Sequence, residues 1–439
     1  MSGTRFGPAP LGLAFGARGA GWMRRSVCAL DFAADRYILN GALVDPSVIR
    51  GYHTRASSRW AEAAGGEWQP FATGSAAIMP QRGYDSREGH TNTIPNPLFT
   101  GIVDQASLMA NWSLIQSGTT MTYAGHGVED GLPYVDMRIV GTPTDGVQWR
   151  LHNLGGGPAA ATGQVWTTSS MCRMVAGSLV NVTSVERRLV EADSSNVFLN
   201  ASNSIFPVTA SRLADTLGNV TRTLTQGSTA RLEQRFRIFA TGAIDITLRF
   251  AAPQLQQRAY QMPFGAGAVA PDTMTVPAAD AGMAVNPGAS GLTMFWRGRD
   301  YPSAATFPKW FELRVDGNNR LSFERRASDG VARPVFAGPA GVSTAVNFGT
   351  LAQLPYGTEF TAVATWRADG SIWCKAGAAP ASTGTGRTIL SGIPATIGIG
   401  NTGAGTDRFN SIHCRCGLMP HSLSDADALA LFNQINEGL

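Results

Sequence analysis

Outside the C-terminal stretch Ser422–Asn436, this chain offers no helical period of useful length. What it offers is a long succession of short runs, each stopped by Gly, Pro, Asn or Ser. YVDMRIVG sets Val135, Met137 and Ile139 against Asp136 and Arg138, a period of two that puts alternate side chains on opposite faces of a strand. VQWRLHNL, QVWTTSSMCRMVAG, SLVNVTSVERRLVEA, RLEQRFRIFA and IDITLRFAAPQL follow at regular intervals. Many short strands without intervening helices restrict the chain to an all-β fold of sandwich or jelly-roll type.

Breaks in this pattern divide the chain. Residues 1–26 form an irregular N-terminal arm rich in Gly and Arg. Its Phe6, Phe15, Trp22 and Met23 would be costly to leave in water, and are expected to anchor the arm on a larger assembly. Residues 27–94 read as a β-rich leader of short strands. Within Arg87–Phe99, REGHTNTIPNPLF, residues Asn92, Pro95, Asn96 and Pro97 exclude helix and predict an extended hinge between folded parts. Residues 95–255 predict a first antiparallel sandwich, 256–290 a Pro/Gly/Ala linker, and 291–439 a second sandwich. There KWFELRVDGNNRLSFERR and TEFTAVATWRADGSIWCKAG each carry an Asp-Gly step, which predicts type I′ hairpins. The chain closes on a short helix, with Ser424 as N-cap and Ala426, Leu429, Phe432 and Ile435 on one face.

Composition narrows the function. At 439 residues the chain has room for two or three domains. Charged residues are only 15%, against roughly 25% in an average globular protein, which suits a turn-rich β protein of extracellular type. The net charge is +4 and its arginines are scattered, so no nucleic-acid footprint is expected. Five widely spaced cysteines do not make a disulfide framework, and point to assembly in a reducing compartment. No apolar run is long enough for a transmembrane helix, and Pro8, Pro10, Gly12, Gly16 and Arg18 interrupt any secretory h-region. Membrane insertion is not expected.

The chemistry most compatible with such a chain is sugar recognition, in which aromatic rings stack on pyranose faces and polar groups fix the hydroxyls. Trp166 in VWTTSSM is the leading candidate. Trp149 in QWRLH shares its face with Leu151 and reads as core or stacking platform. In KWFELRV, alternation puts Phe311, Leu313 and Val315 on one face and Trp310, Glu312 and Arg314 on the other, a row fit for a sugar or a partner. Trp373, opposite Ile372, suits either role. In HCRC, strand geometry sends Cys414 and Cys416 to one side and His413 to the other, against a zinc site. No cofactor is expected, and nothing in the sequence supports calcium. The chain lacks an E-x-D-x-x-E run, a G-x-S-x-G elbow, an H-E-x-x-H and a P-loop, so it is not expected to be an enzyme.

The order of LDF, HTRASSRWAE and RGYDSREGHTNTIPNPLF resembles the leader of tailed-phage and gene-transfer-agent fibre or spike proteins. Residues 95–255, closing on RFAAPQLQQRAYQMPF, resemble the carbohydrate-binding jelly-roll module that follows in such proteins. FTAVATWRADGSIWCKAG, IGIGNTGAGTDRFNSIHCRCGLM and SLSDADALALFNQI resemble a concanavalin A-like (laminin G-like) domain; Thr93–Ile94 depart from the family's Leu–Leu. The resemblance implies tandem antiparallel β-sandwiches, jelly roll plus concanavalin A-like, in a homo-oligomeric virion protein of tail fibre or head spike. It would assemble in the bacterial cytoplasm, bind other virion proteins (capsid, portal or tail) and attach to host surface polysaccharide. The competing readings are a decoration protein that binds no glycan and a capsule depolymerase.

Overall fold

The computed structural model describes residues 21–437 except 116–117, 145–146, 153–154, 285, 339–342, 386–389, 403–404 and 406–407. Regular structure is almost all short antiparallel strand, and the longest described helix is Asp425–Asn436. The chain is all-β and divides into two compact units: residues 50–274 with 408–410, and residues 1–49 with 275–407 and 411–439. The expected leader is therefore divided near residue 50, and the expected linker near residue 275. Pro/Gly-rich sequence suggests a boundary, but such sequence packs wherever its backbone groups find partners.

The 50–274 unit is built on two five-stranded antiparallel sheets. One runs Ser113–Ile115, Val147–Arg150, Arg231–Ala240, Val182–Ala192, Phe198–Ile205. The other runs Thr119–Glu129, Leu132–Gly141, Ile244–Gln256, Val165–Gly177, Gly218–Thr223. The alternation read from YVDMRIVG holds, because Val135, Met137 and Ile139 are buried together in the core. Trp149 lies at the centre of that core, its ring 5.0 Å from Trp112, 5.5 Å from Phe236 and 4.6 Å from Phe250. The Thr119–Glu129 and Leu132–Gly141 strands turn through Asp130 and Gly131, both at positive φ, as a type I′ hairpin requires. A Cβ at Gly131 would stand 1.7 Å from the Trp68 carbonyl oxygen, so only glycine fits.

The other unit is a second sandwich. One sheet takes Ser382–Gly384, Ile372–Ala376, Glu359–Trp366, Leu292–Asp300 and Ser411–Met419, then Cys28–Asp31, Arg36–Leu39 and Ala42–Val44. Among the described residues, the first strands thus complete a sheet that also holds the last one, Ser411–Met419. The facing sheet includes Ala332–Ala337, Asn319–Arg325, Lys309–Asp316 and Thr396–Ile399, and Trp296 and Trp310 stack across the interior at 4.9 Å. The two Asp-Gly steps do sit between paired strands, but neither makes a type I′ turn. Asp316 pairs with Asn319, so Asp316 precedes the turn, and at the second step only Gly370 takes positive φ.

Two further expectations are corrected in this unit. Trp22 and Met23 are each 1% exposed, in a cluster with Phe295, Trp373, Leu431 and Phe432. Trp22 meets Phe295 edge to face at 5.2 Å. Neither is available to anchor the chain elsewhere, because both complete this unit's own core; Phe6 and Phe15 lie outside the described residues. The C-terminal helix begins at Ser424, whose hydroxyl accepts from Asp427 N. Its buried face is Ala428, Leu431, Phe432 and Ile435, while Ala426 and Leu429 face solvent. A spacing of strictly three residues drifts off a 3.6-residue helix, and the i, i+3, i+4 set is the one that packs.

Trp22→Ala should destabilise this unit by about 3–5 kcal/mol, read as a lower urea midpoint. An unchanged midpoint would show that the short helix Gly21–Arg25, which carries Trp22, does not close the core.

Candidate functional site

In the 50–274 unit, one buried carboxylate collects two separate stretches of chain. Asp272 Oδ1 accepts from Arg55 Nη1 at 2.8 Å and lies 2.9 Å from His53 Nε2. Its Oδ2 accepts from Arg87 N at 3.0 Å and pairs with Arg59 Nη2 at 3.1 Å. Arg59 also binds Asp85, and Arg55 donates to the Ser57, Phe71 and Ala72 carbonyls. Burial would raise the Asp272 pKa, but the guanidiniums of Arg59 and Arg55 and the hydrogen bond from His53 hold it down at about 2. The group is therefore a fixed anion on which residues 53–59 and 87 are hung.

Five residues on, Asn92 makes a second tie. Its amide donates to the Pro253 and Gly265 carbonyls at 3.0 and 2.9 Å, and its oxygen accepts from Ile94 N and Leu255 N, each at 3.1 Å. All four of its hydrogen-bonding positions are used. His90–Thr91 then pairs with Ala268–Val269 as a short two-stranded ribbon. Arg87–Phe99 is thus not a hinge. It is wired by side-chain and backbone bonds into the sheet strand Ile244–Gln256.

Between these ties lies a cleft of about 830 Å³. One wall is Ala56 and Ser57, one is Gly89–Thr91 with Thr93, one is Gln256–Arg258, and Ala268–Ala270 and Trp166 complete it. A Cβ at Gly89 would stand 2.9 Å from Pro271 and 3.0 Å from the Val269 carbonyl, so the walls close there only around glycine. Arg258 is held across the cleft by its bond to the Gly89 carbonyl at 2.7 Å, and its own carbonyl accepts from Thr167 Oγ1 at 2.8 Å. Thr91 and Gln257 are exposed. The lining is therefore about equally polar and apolar: hydroxyls, amides, the His90 imidazole and one guanidinium alternate with Ala, Val269 and Trp166, and it contains no Asp or Glu. Such a surface can hydrogen-bond the hydroxyls of a polyol.

The residues singled out from sequence distribute unevenly. Trp166 lines this cleft, but at 4% exposure it belongs to the sandwich core and presents only a rim, its Nε1 donating to Gln164. It is a wall and not a stacking platform. Trp149, Trp310 and Trp373 are buried at 0%, 0% and 4% exposure, where no ligand ring can lie on them. For Trp310 the reason is a β-bulge: Lys309 pairs with Glu324 and Phe311 with Phe323, so Trp310 is the extra residue and turns inward. Glu312 is buried under Arg314 and Arg320, at 3.8 and 3.4 Å, and the expected exposed row does not form. His413 receives a hydrogen bond from Trp296 Nε1 at 2.8 Å and lies 2.6 Å from Ser411 Oγ. Among the described residues no group of His, Cys, Asp or Glu comes together to hold a metal. Apart from Trp166, the cleft residues escape sequence reading as a site, although three of the stretches that carry the resemblance, HTRASSRWAE and those around Asn92 and Gln256, contribute to it.

No family model matches this chain, and no curated protein matches it. Among solved structures it is similar to the CBM40 of the Ruminococcus gnavus IT-sialidase, at 13% identity and TM-score 0.31 over 36% of this chain and 92% of that one. It is similar to a CBM4 at 18% identity and TM-score 0.25, over 38% and 99% of the two chains. It is also similar to mouse laminin alpha1 domains LG4-5, at 11% identity and TM-score 0.23, over 60% and 86%. At these values the likenesses carry no argument about what this chain binds.

Burial, with the charges of Arg258 and Arg59, pushes His90 down to about 3, and burial pushes His152 down to about 4, from 6.5. Between those values and about 6.5 the unfolded chain binds protons that the folded chain refuses, so stability falls as pH falls through this window. The urea midpoint should drop between pH 7 and pH 4, and less steeply in His90→Gln. An equally steep fall in the variant would contradict the assignment.

Proposed function

We propose that this protein is a glycan-binding attachment protein, and that the cleft between Ser57, Thr93 and Gln257 receives a neutral portion of a surface polysaccharide. The observation that carries this reading is the lining: hydroxyls, amides and an imidazole beside apolar surface, held in place by a buried ionic and amide network, with Arg258 at its edge, 3.7 Å from Glu88, and no carboxylate among the lining residues. Glycoside hydrolysis ordinarily needs two carboxyl groups flanking the bond, so the cleft supports binding without turnover. The sequence resemblance to tailed-phage and gene-transfer-agent fibre or spike proteins supports the finer proposal: a virion-surface role, as a homo-oligomer held by other virion proteins. Several copies per particle would turn weak single contacts into firm attachment.

Binding of the full chain to an array of bacterial surface polysaccharides tests this. Selective binding should weaken about tenfold or more in Gln257→Ala. That side chain is exposed, so the fold should survive, whereas Trp166→Ala also opens the core. Binding unaffected by both variants would remove the cleft from the account. No binding by a multimerised chain would favour the decoration reading, and released reducing ends would favour a depolymerase.

A further inference from the structure

The two outer sheet faces of the 50–274 unit are charged in different ways. On the sheet containing Leu132–Gly141, arginines come with carboxylates: Arg138 binds Asp245, Arg249 binds Asp136 and Glu129, and Arg173 binds Glu129. On the other sheet the strand register lines up arginines with one another. Arg150 pairs with Arg235, and Arg235 pairs with Arg188, so three neighbouring strands carry a guanidinium side chain in one cross-strand row. The row is flanked by Ser113 and Asn203, which are the register partners of Arg150 and Arg188 on the edge strands. One step along, Arg237 stands between Gln148 and Glu186.

Like charges directly opposite each other in a sheet are destabilising, so this row costs the fold something. Glu233 offsets part of it, at 2.6 Å from Arg235 Nη2 and 3.3 Å from Arg150 Nε. Arg188 makes no ion pair within salt-bridge distance among the described residues, and lies over the half-exposed ring of Phe198 at 5.9 Å. Arg237 covers Phe239 at 3.9 Å. Burial first, and then the neighbouring charges of Arg237 and Arg235 set against the Glu186 carboxylate, lower the Arg188 pKa.

We infer that this face is a second binding site, separate from the cleft, for an acidic polysaccharide whose carboxylates or sulfates run across the strands. Arg235, at 5% exposure, is buried and held by Glu233 and Gln148, so the row presents Arg150 and Arg188 on either side of it, two strand spacings of about 4.8 Å apart, for a polymer with repeated anions. A guanidinium fork matches a carboxylate or sulfate bidentately. Nucleic acid fits less well. Single strands need free aromatic faces for their bases, and here Arg237 covers the Phe239 ring, which leaves the half-exposed Phe198 beside Arg188. The flanking Ser113 and Asn203 add neutral hydrogen-bonding groups suited to sugar hydroxyls.

The experiment uses the full chain, with polygalacturonate, uncharged dextran and single-stranded oligothymidylate as probes. Polygalacturonate should bind at low salt, lose affinity as sodium chloride rises, and bind at least about fivefold more weakly to Arg188→Gln. Gln257→Ala, in the cleft, should leave it unchanged, so this site and the cleft stand or fall separately. Arg138→Gln, on the opposite sheet, controls for loss of a surface charge alone. Equal weakening by Arg138→Gln and Arg188→Gln, no polygalacturonate binding, or tighter binding of oligothymidylate than of polygalacturonate would each overturn the inference.

Discussion

The carboxylate of Asp272 is the point on which the cleft depends. It lies in the middle of a chain segment that sequence reading would leave as linker, yet His53, Arg55, Arg59 and the Arg87 backbone all converge on it. A buried charge is tolerable only when it is paired and hydrogen-bonded, and here both oxygens are saturated. Removing one partner from such a cluster typically costs about 3–5 kcal/mol. The network therefore does more than stabilise. It sets the distance between Ser57, on the Arg55 side, and Gly89–Thr91, just beyond Arg87, which are two walls of the cleft.

Asn92 gives the same geometry without charge. Its saturated amide pins the third wall, because it holds Leu255 immediately before Gln256–Arg258. Gln254 continues this pattern, donating to the Met262 carbonyl and accepting from Gly265 N. An irregular backbone can be buried only when its polar groups are satisfied, and these amides are how residues 253–267 satisfy theirs. The cleft is thus a consequence of polar bookkeeping in chain that lacks regular structure.

What the sequence revealed follows from how local each feature is. The period of two in YVDMRIVG and the turn residues between runs were enough for an all-β chain of sandwiches, since strand alternation is a property of neighbours. The tryptophans were less legible. Alternation says which residues share a face, but not whether that face is covered, and a bulge at Trp310 shifted the face itself. Trp22 looks like an anchor in the sequence because nothing local shows that Phe295 and Phe432 close over it. The cleft was invisible because its walls come from residues 56, 91, 166, 257 and 269, which only the fold brings together. The arginine row was hidden likewise. Arg150, Arg188 and Arg235 look scattered along the chain and become a row only through strand register.

The central claim is that the polar cleft held by Asp272 and Asn92 is where a glycan binds. Backbone hydrogen exchange of the full chain, with and without a polysaccharide that it binds, tests this most directly. The account predicts slower exchange at residues 56–57, 89–93 and 256–258 when the glycan is present. Binding that leaves those amides unchanged, with protection elsewhere on the chain, would contradict it.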